Sequence, residues 1–178
     1  SILDPAAKEI VRRLQSRVSA TALLYDRLSL GSGRDTIRLD SYLGDLASLL
    51  VESLALEPSR ILLELDVEAL SVSPKLAGAL GLIVNEAITN SFKYGLQEAG
   101  GGRITVSCRR QGRGRCRLQV SDNGPGFPPA ILAGDGRDFG FTLMALEAEE
   151  VGGKLELEPG PGAAISVSFP LSPRVQRG

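Results

Sequence analysis

From Asp4 to about Leu28, Ile10, Leu14, Val18, Thr21/Ala22 and Tyr25 recur at the spacing of one helix face. Asp4 as N-cap and Pro5 at the first helical position predict its start, and Gly31-Ser32-Gly33 its end. Thr36–Leu39 alternates briefly, as an edge strand does. Asp40 or Ser41 is expected to cap a second helix to about Leu56, with Leu43, Leu46, Leu50 and Leu54 as its buried stripe. Glu57-Pro58 stops it. Arg60–Val67 sets Ile61, Leu63, Leu65 and Val67 against polar neighbours, the pattern of a half-buried strand. Ser73-Pro74 opens a third helix, to about Gln97.

Past the flexible turn at Gly100–Gly102, Arg103–Arg110 and Arg115–Ser121 predict a hairpin around Gly112-Arg113. Pro128–Asp138 is rich in Gly, Pro and Asp and reads as a loop with little to pack. Phe139–Val151 reads as a helix with Leu143, Leu146 and Val151 inward, closed by Gly152-Gly153. Leu155–Leu157 and Ala164–Phe169 form a last hairpin, and the basic tail after Pro170 is expected to fray. Roughly five mostly antiparallel strands in one layer and helices in the other make an α+β, two-layer sandwich, with the N-terminal helix beside it.

At 178 residues the chain suits one domain, or one domain with a helical appendage. Only 4% is aromatic, without Trp, so the core must be built from Leu, Val, Ile and Ala. A formal net charge of −1 gives no general attraction to nucleic acid or to a membrane. No apolar run approaches the ~20 residues of a membrane span, and there is no signal peptide. A cytoplasmic location is therefore expected, with any membrane sensor outside this chain. Cys108 and Cys116 lack the spacing and the histidines of a zinc site. A disulfide across their hairpin is conceivable, but in a cytosolic chain they read as free thiols with no catalytic role. The same hairpin holds Arg103, Arg109, Arg110, Arg113, Arg115 and Arg117; without interleaved aromatics these read as a solvated outer face rather than a nucleic-acid patch.

Candidate chemistry gathers in Leu82–Gly95. On a helix, Glu86, Asn90 and Lys93 fall on one side while Leu82, Ile83, Ala87 and Ile88 sit mostly elsewhere, a poor core and a good ligand surface. A carboxamide oxygen and a carboxylate suit Mg²⁺ or its waters, and a lysine suits a phosphate. Downstream, Asp122–Phe127 (DNGPGF) supplies a fixed carboxylate and two glycines that let the backbone approach a ligand. Together they suggest a Mg²⁺–nucleotide site, and the absence of GxxxxGK[ST] says that it is not a P-loop.

These residues carry a family resemblance. Asn85-Glu86-x-x-x-Asn90-x-x-Lys93-Tyr94 resembles the N box of the GHKL ATPase superfamily of gyrase, Hsp90, MutL and the sensor histidine kinases. Asp122-Asn123-Gly124-Pro125-Gly126 is similar to its adenine-binding G1 box. The order Asn-Glu, short lid, then Phe139-Gly140-Phe141 resembles most closely the HisKA_2 and HWE histidine kinases, and the likeness runs from about Asp4 to Pro170. It implies the Bergerat fold, with ATP held between helices and lid.

By that resemblance Asn90 ligates Mg²⁺ at the phosphates. Glu86 stands where gyrase has its general base; since water is the wrong nucleophile in a kinase, a metal-bound water is its expected partner. Asn85 would support the metal or the adenine edge, or make only a structural hydrogen bond. Lys93 would meet a phosphate, or lie on a solvated helix face, and Tyr94 would meet the sugar or base. Asp122 would accept from the adenine amino group, with Gly124 and Gly126 turning the backbone beneath the base, or marking only a tight turn. Phe127, Gly140, Phe141 and Thr142 complete the expected nucleotide contacts, Gly140 at a helix start whose free N–H groups favour a phosphate. Two positions depart from the pattern. Asp138 replaces a small residue and would repel phosphates unless it points outward or serves the metal, and Gly160-Pro161-Gly162-Ala163 lacks the final hydroxyl of Gly-x-Gly-Thr.

The resemblance implies three segments: residues 1–33 as the second helix of a dimerisation and histidine-phosphotransfer hairpin, 34–172 as the ATP-binding catalytic domain, and 173–178 as a tail. The chain contains no histidine, so the phospho-accepting one is expected on a first helix ending just before Ser1. The function implied is transfer of the γ-phosphoryl of Mg-ATP to that histidine and onward to an aspartate of a response-regulator receiver domain. The apolar stripe of residues 10–28 would either join two copies as a homodimer or pack on the domain. Two alternatives remain: a nucleotide-free module that docks a response regulator, favoured by Asp138 and Ala163, and an anti-sigma-type serine kinase of the same fold.

Overall fold

The computed structural model describes residues 4–30 and 35–171; the predicted stop at Gly31–Gly33 and the tail from residue 173 lie outside them. In chain order come α1 (Pro5–Leu30), β1 (Ile37–Arg38), α2 (Leu39–Leu54), β2 (Ile61–Val67), β3 (Ser71–Val72) and α3 (Pro74–Ser91). There follow β4 (Gly102–Arg110), β5 (Arg115–Asp122), α4 (Pro129–Ala133), α5 (Phe139–Glu150), β6 (Lys154–Glu158) and β7 (Ala164–Pro170). The fold is α+β. Five strands form the main sheet in the order β2-β4-β5-β7-β6, and β1 and β3 make a separate ribbon. Every neighbouring pair of the main sheet is antiparallel except β2 with β4, which run parallel because α3 crosses over between them.

α2, α3 and α5 cover one face of the sheet. Alternation along β4 and β5 turns Ile104, Val106, Cys108, Cys116, Leu118 and Val120 inward, against Leu46 and Leu50 of α2 and Leu80 and Ile88 of α3. Arg109 and Arg117 lie directly opposite one another on the outer face, and each is drawn to a carboxylate on the far side, Asp66 of β2 and Glu158 of β6. Arg103 and Arg110 are likewise matched to Glu64 and Glu68, at 3.5 and 3.2 Å. Four of the hairpin's arginines are thus answered by carboxylates of neighbouring segments.

Both cysteines are fully buried and unbonded to each other. Burial pushes the Cys108 thiol up to about 12 and raises that of Cys116 as well. The reactive thiolate is scarce under those conditions, so the native chain at about pH 8 should take up no iodoacetamide, whereas both thiols should alkylate in guanidinium chloride. Mass spectrometry of the two samples checks this, and labelling of the folded protein would contradict it.

Several elements differ from the sequence pattern. α2 begins at Leu39, not after Asp40 or Ser41, and its N-cap Arg38 makes no side-chain cap bond. The β1–β3 pairing and the Leu39 N–H bonded to Leu70 O (2.8 Å) fix the chain there, which lets Leu39 be fully buried. α2 ends at Leu54, and Leu56 lies outside it, exposed. On α5 the inward residues are Phe141, Met144 and Ala148, while Leu146 is 52% exposed. Leu65 is exposed as well, because β2 is an edge strand. The segment Pro128–Asp138 is more than a loop: α4 forms within it and buries Ile131. The stripe of α1 faces out, with Ile10, Leu14, Val18 and Tyr25 between 54% and 68% exposed. What α1 lays on the domain is Ser16, Ala20 and the half-buried Leu23, Leu24 and Leu28.

Candidate functional site

α3 starts where the sequence says: the Ser73 hydroxyl accepts from the Leu76 N–H (3.2 Å), and Pro74 takes the first helical position. From Ala79 to Ser91 almost every residue is buried, polar ones included: Asn85 and Glu86 are 0% exposed and Asn90 is 1%. The expected open ligand surface is therefore roofed over. A buried polar group normally finds a partner. Yet both side-chain heteroatoms of Asn90, Oε2 of Glu86 and Oδ1 of Asn85 have none. Each such atom costs roughly 1–3 kcal/mol, so four of them in two turns mark a place built for something other than the core.

β5 delivers Asp122 to the other side. Its Oδ1 accepts from the N–H of Gly124 (2.9 Å) and of Ala163 (3.3 Å), closing the turn and tying it to the loop before β7. Gly126 sits at φ 85°, in the left-handed region that a side chain resists. The two motifs touch at Gly95, where any Cβ would overlap the Pro125 ring. Ala87, Asn90, Asp122, Phe127 and Ala163 line one narrow cleft between α3 and the sheet, so Asn90 and the Asp122 turn are brought together. Tyr94, Phe127 and Phe141 pack as a triangle of rings with centroids 5.9–6.4 Å apart. Phe141, 2% exposed, belongs to the core.

Glu86, Lys93, Gly140 and Thr142 do not line that cleft; they gather around the first turn of α5. There Asp138 is the N-cap: its Oδ1 accepts from the Gly140 N–H (2.9 Å), and its Oδ2 accepts from Lys93 Nζ (2.8 Å) and Arg13 Nη2 (2.9 Å). The expected repulsion is thereby offset, because the carboxylate is answered by two cations and a helix start. Burial pushes the Asp138 carboxyl up, and the hydrogen bonds of Lys93 and Arg13 outweigh it, leaving it below the ordinary 3.8. For Lys93, burial pushes the amine down and the Asp138 bond more than restores it. Asp138→Ala should cost about 1–2 kcal/mol through the lost cap. Because folded Asp138 titrates below its unfolded value, that contribution is complete above about pH 4 and lost as pH falls through the depressed value. Urea midpoints of parent and variant should therefore differ at pH 6 and draw together as pH falls through the depressed value. A gap that persists in acid would mean that the carboxylate's charge is not what stabilises the turn.

Glu86 is held from α1: its Oε1 accepts from Arg17 Nε (2.6 Å) and from Asn85 Nδ2 (3.3 Å). Asn85 thus braces the Glu86 carboxylate from its own helix. Sequence reasoning took the apolar stripe of α1 and missed Arg13 and Arg17, whose spacing of four placed them together on another face. Among the described residues no cluster of three or more His, Cys, Asp or Glu could hold a metal alone. Asn90 Oδ1 and Glu86 Oε2 are hard, unpartnered oxygens, a donor set that fits Mg²⁺ when phosphate oxygens and waters complete it.

Comparison with known proteins identifies the family and the fold. Residues 76–173 match the family described as "Histidine kinase-, DNA gyrase B-, and HSP90-like ATPase", and residues 1–54 match the HisKA_2 "Histidine kinase" family. "Blue-light-activated histidine kinase 2" of Erythrobacter litoralis is 26% identical over 89% of this chain and 47% of its own length. An "Uncharacterized sensor-like histidine kinase" of Chloroflexus aurantiacus is 28% identical over 92% of this chain and 30% of its own length. The chain thus spans less than half the length of these relatives. Among solved structures, the histidine kinase domain of an Erythrobacter litoralis blue-light-activated histidine kinase superposes with a TM-score of 0.79 at 25% identity, covering 89% of this chain and 75% of that one.

Proposed function

Since the chain belongs to the family of histidine kinase-, DNA gyrase B- and HSP90-like ATPases, we propose that it is the ATP-binding catalytic domain of a two-component histidine kinase. It transfers the γ-phosphoryl of ATP to a histidine, and onward to an aspartate of a response-regulator receiver domain. The chain has no histidine, so the acceptor lies outside it. The observation that carries the reading is Asn90: an amide 1% exposed, without a partner, in the same cleft as Asp122.

Residues 34–172 are the nucleotide-binding unit in this reading, and α1 is the second helix of the dimerisation hairpin, its exposed stripe meeting a second copy. Asp122 Oδ1 is occupied by backbone N–H groups, so Oδ2 is the atom that accepts from the adenine amino group. Tyr94 and Phe127 wall the base and sugar, over the turn of Gly124 and Gly126. Lys93 and the first turn of α5 at Gly140, Phe141 and Thr142 meet the phosphates, which draw Lys93 away from Asp138. Asn90 and Glu86 would hold Mg²⁺, which neutralises charge on the β- and γ-phosphates. In the transfer, the bond from the γ-phosphorus to the ADP oxygen breaks as one to the imidazole nitrogen forms, and the ring proton is released. The domain's own contribution is positioning and a dry, charged cradle.

Calorimetric titration with a non-hydrolysable ATP analogue, AMP-PNP, with and without Mg²⁺ tests this. The parent chain should bind it Mg²⁺-dependently, and Asp122→Asn should lose about 100-fold, since a buried donor facing a donor is left unpaired. No binding at millimolar analogue by a folded sample would sink the assignment in favour of a nucleotide-free docking module.

A further inference from the structure

Two arginines one turn apart on α1 reach opposite walls of the phosphate end. Arg13 bonds Asp138 at the start of α5, and Arg17 bonds Glu86 on α3. The Arg17 guanidinium also lies over the Phe139 ring, 5.2 Å from its centroid, so it is held from two sides. Its Glu86 partner is fully buried, and the two carboxylate oxygens are treated differently. Oε1 takes Arg17 and Asn85, whereas Oε2 takes nothing. Oε2 faces Gly140: a Cβ added there would lie 2.7 Å from it. Arg17 therefore fixes which oxygen of Glu86 is left pointing toward the first turn of α5.

We infer that Arg17 is a positioning residue for the metal end of the site: it pins Glu86 through Oε1 and presents Oε2 to the metal. The inference rests on the nucleotide reading above and adds to it a residue from another segment of the chain. A carboxylate with no exposed surface and two rotatable ends is a poor ligand unless something sets its plane, and a guanidinium N–H at 2.6 Å does so. The consequence is a coupling. Glu86 and its cation belong to different helices, so a shift of α1 that withdraws Arg17 leaves the metal oxygen unaimed. By reciprocity, filling the site strengthens the docking of α1.

The test compares AMP-PNP affinity with and without Mg²⁺ in the parent, Arg17→Gln, Arg17→Lys, Glu86→Gln and the Arg17→Gln/Glu86→Gln pair, with thermal unfolding as a check that each is folded. Arg17→Gln should lose about tenfold of the affinity that Mg²⁺ adds, the worth of one charge-assisted bond. Mg²⁺-free affinity should stay within about twofold. Arg17→Lys should recover part of the loss, and Arg17→Gln should cost nothing further once Glu86 is Gln. An equal loss with and without Mg²⁺, or full additivity in the pair, would reduce Arg17 to a scaffold contact and overturn the inference. So would tighter Mg²⁺-dependent binding by Arg17→Gln, for then Arg17 competes with the metal for Glu86. If the parent binds AMP-PNP and Arg17→Gln binds it equally well, only this inference falls. If the parent binds nothing, the nucleotide reading falls, and this inference with it.

Discussion

Asn90→Leu should make the empty chain harder to unfold and at the same time end its Mg²⁺-dependent binding of AMP-PNP. The two effects have one cause. Asn90 is 1% exposed, and neither its amide oxygen nor its amide nitrogen has a partner. A buried, unpaired polar group costs about 1–3 kcal/mol, and leucine, branched at Cγ like asparagine, removes that cost and gains apolar contact with the cleft walls. The urea midpoint should rise by an amount equal to about 1–2 kcal/mol. Binding should fall about 100-fold or more, as expected when a metal-facing oxygen becomes a methyl group. An apolar variant that is less stable than the parent would mean that the amide has a structural partner, and the site reading would lose its main support. Serine or alanine would be weaker tests, since each leaves a cavity whose cost masks the gain.

Gly162→Ala should damage the adenine end more than any other single methyl group. A Cβ at Gly162 would fall on the carbonyl oxygen of Asp122, 2.9 Å from its carbon and 3.3 Å from Asn123 Cα. These are backbone atoms, so no rotamer change relieves the overlap. The loop must instead pull away from β5, breaking the Asp122 N–H to Ala163 O bond (2.9 Å) and the Ala163 N–H to Asp122 Oδ1 bond (3.3 Å). A cost of about 3 kcal/mol is expected, at the upper end for overpacking, and nucleotide binding should be lost with the placement of Asp122. Gly160→Ala is the control, because the nearest atom there is the Gly162 oxygen at 3.9 Å. Urea unfolding and calorimetry on both variants decide it. Equal behaviour of the two would mean that this loop moves freely and does not hold the carboxylate.

Local pattern made much of this legible. The N-cap at Ser73, the helix carrying Asn85, Glu86 and Asn90, the turn from Asp122 to Gly126 and the last hairpin stand where spacing and glycine placement put them, whereas Lys93 lies past the end of α3, in the wider turn Phe92–Leu96. Each depends on interactions within a few residues. The errors fall where a partner comes from far along the chain. Leu146 has the right spacing for a core residue, yet the surface offered by α3 and β6 selects Phe141, Met144 and Ala148 instead. Leu65 alternates like a buried residue but lies on an edge strand. Asp138 looked like an obstacle because Arg13, 125 residues away, and the Gly140 N–H could not be foreseen.

The sequence by itself determined most of the helices and strands and, through the resemblance of its motifs, the family, and it put forward the candidate site residues. The elements follow from periodicity and caps, and the candidates from side-chain chemistry that suits only a few partners. Tertiary structure alone decided that Glu86 is buried rather than exposed, that α1 turns its apolar stripe outward and its arginines inward, and that Arg17 closes on Glu86 across 69 residues. Burial and charge pairing are properties of neighbourhoods, and a neighbourhood assembled from distant segments leaves no mark in the spacing of any one of them.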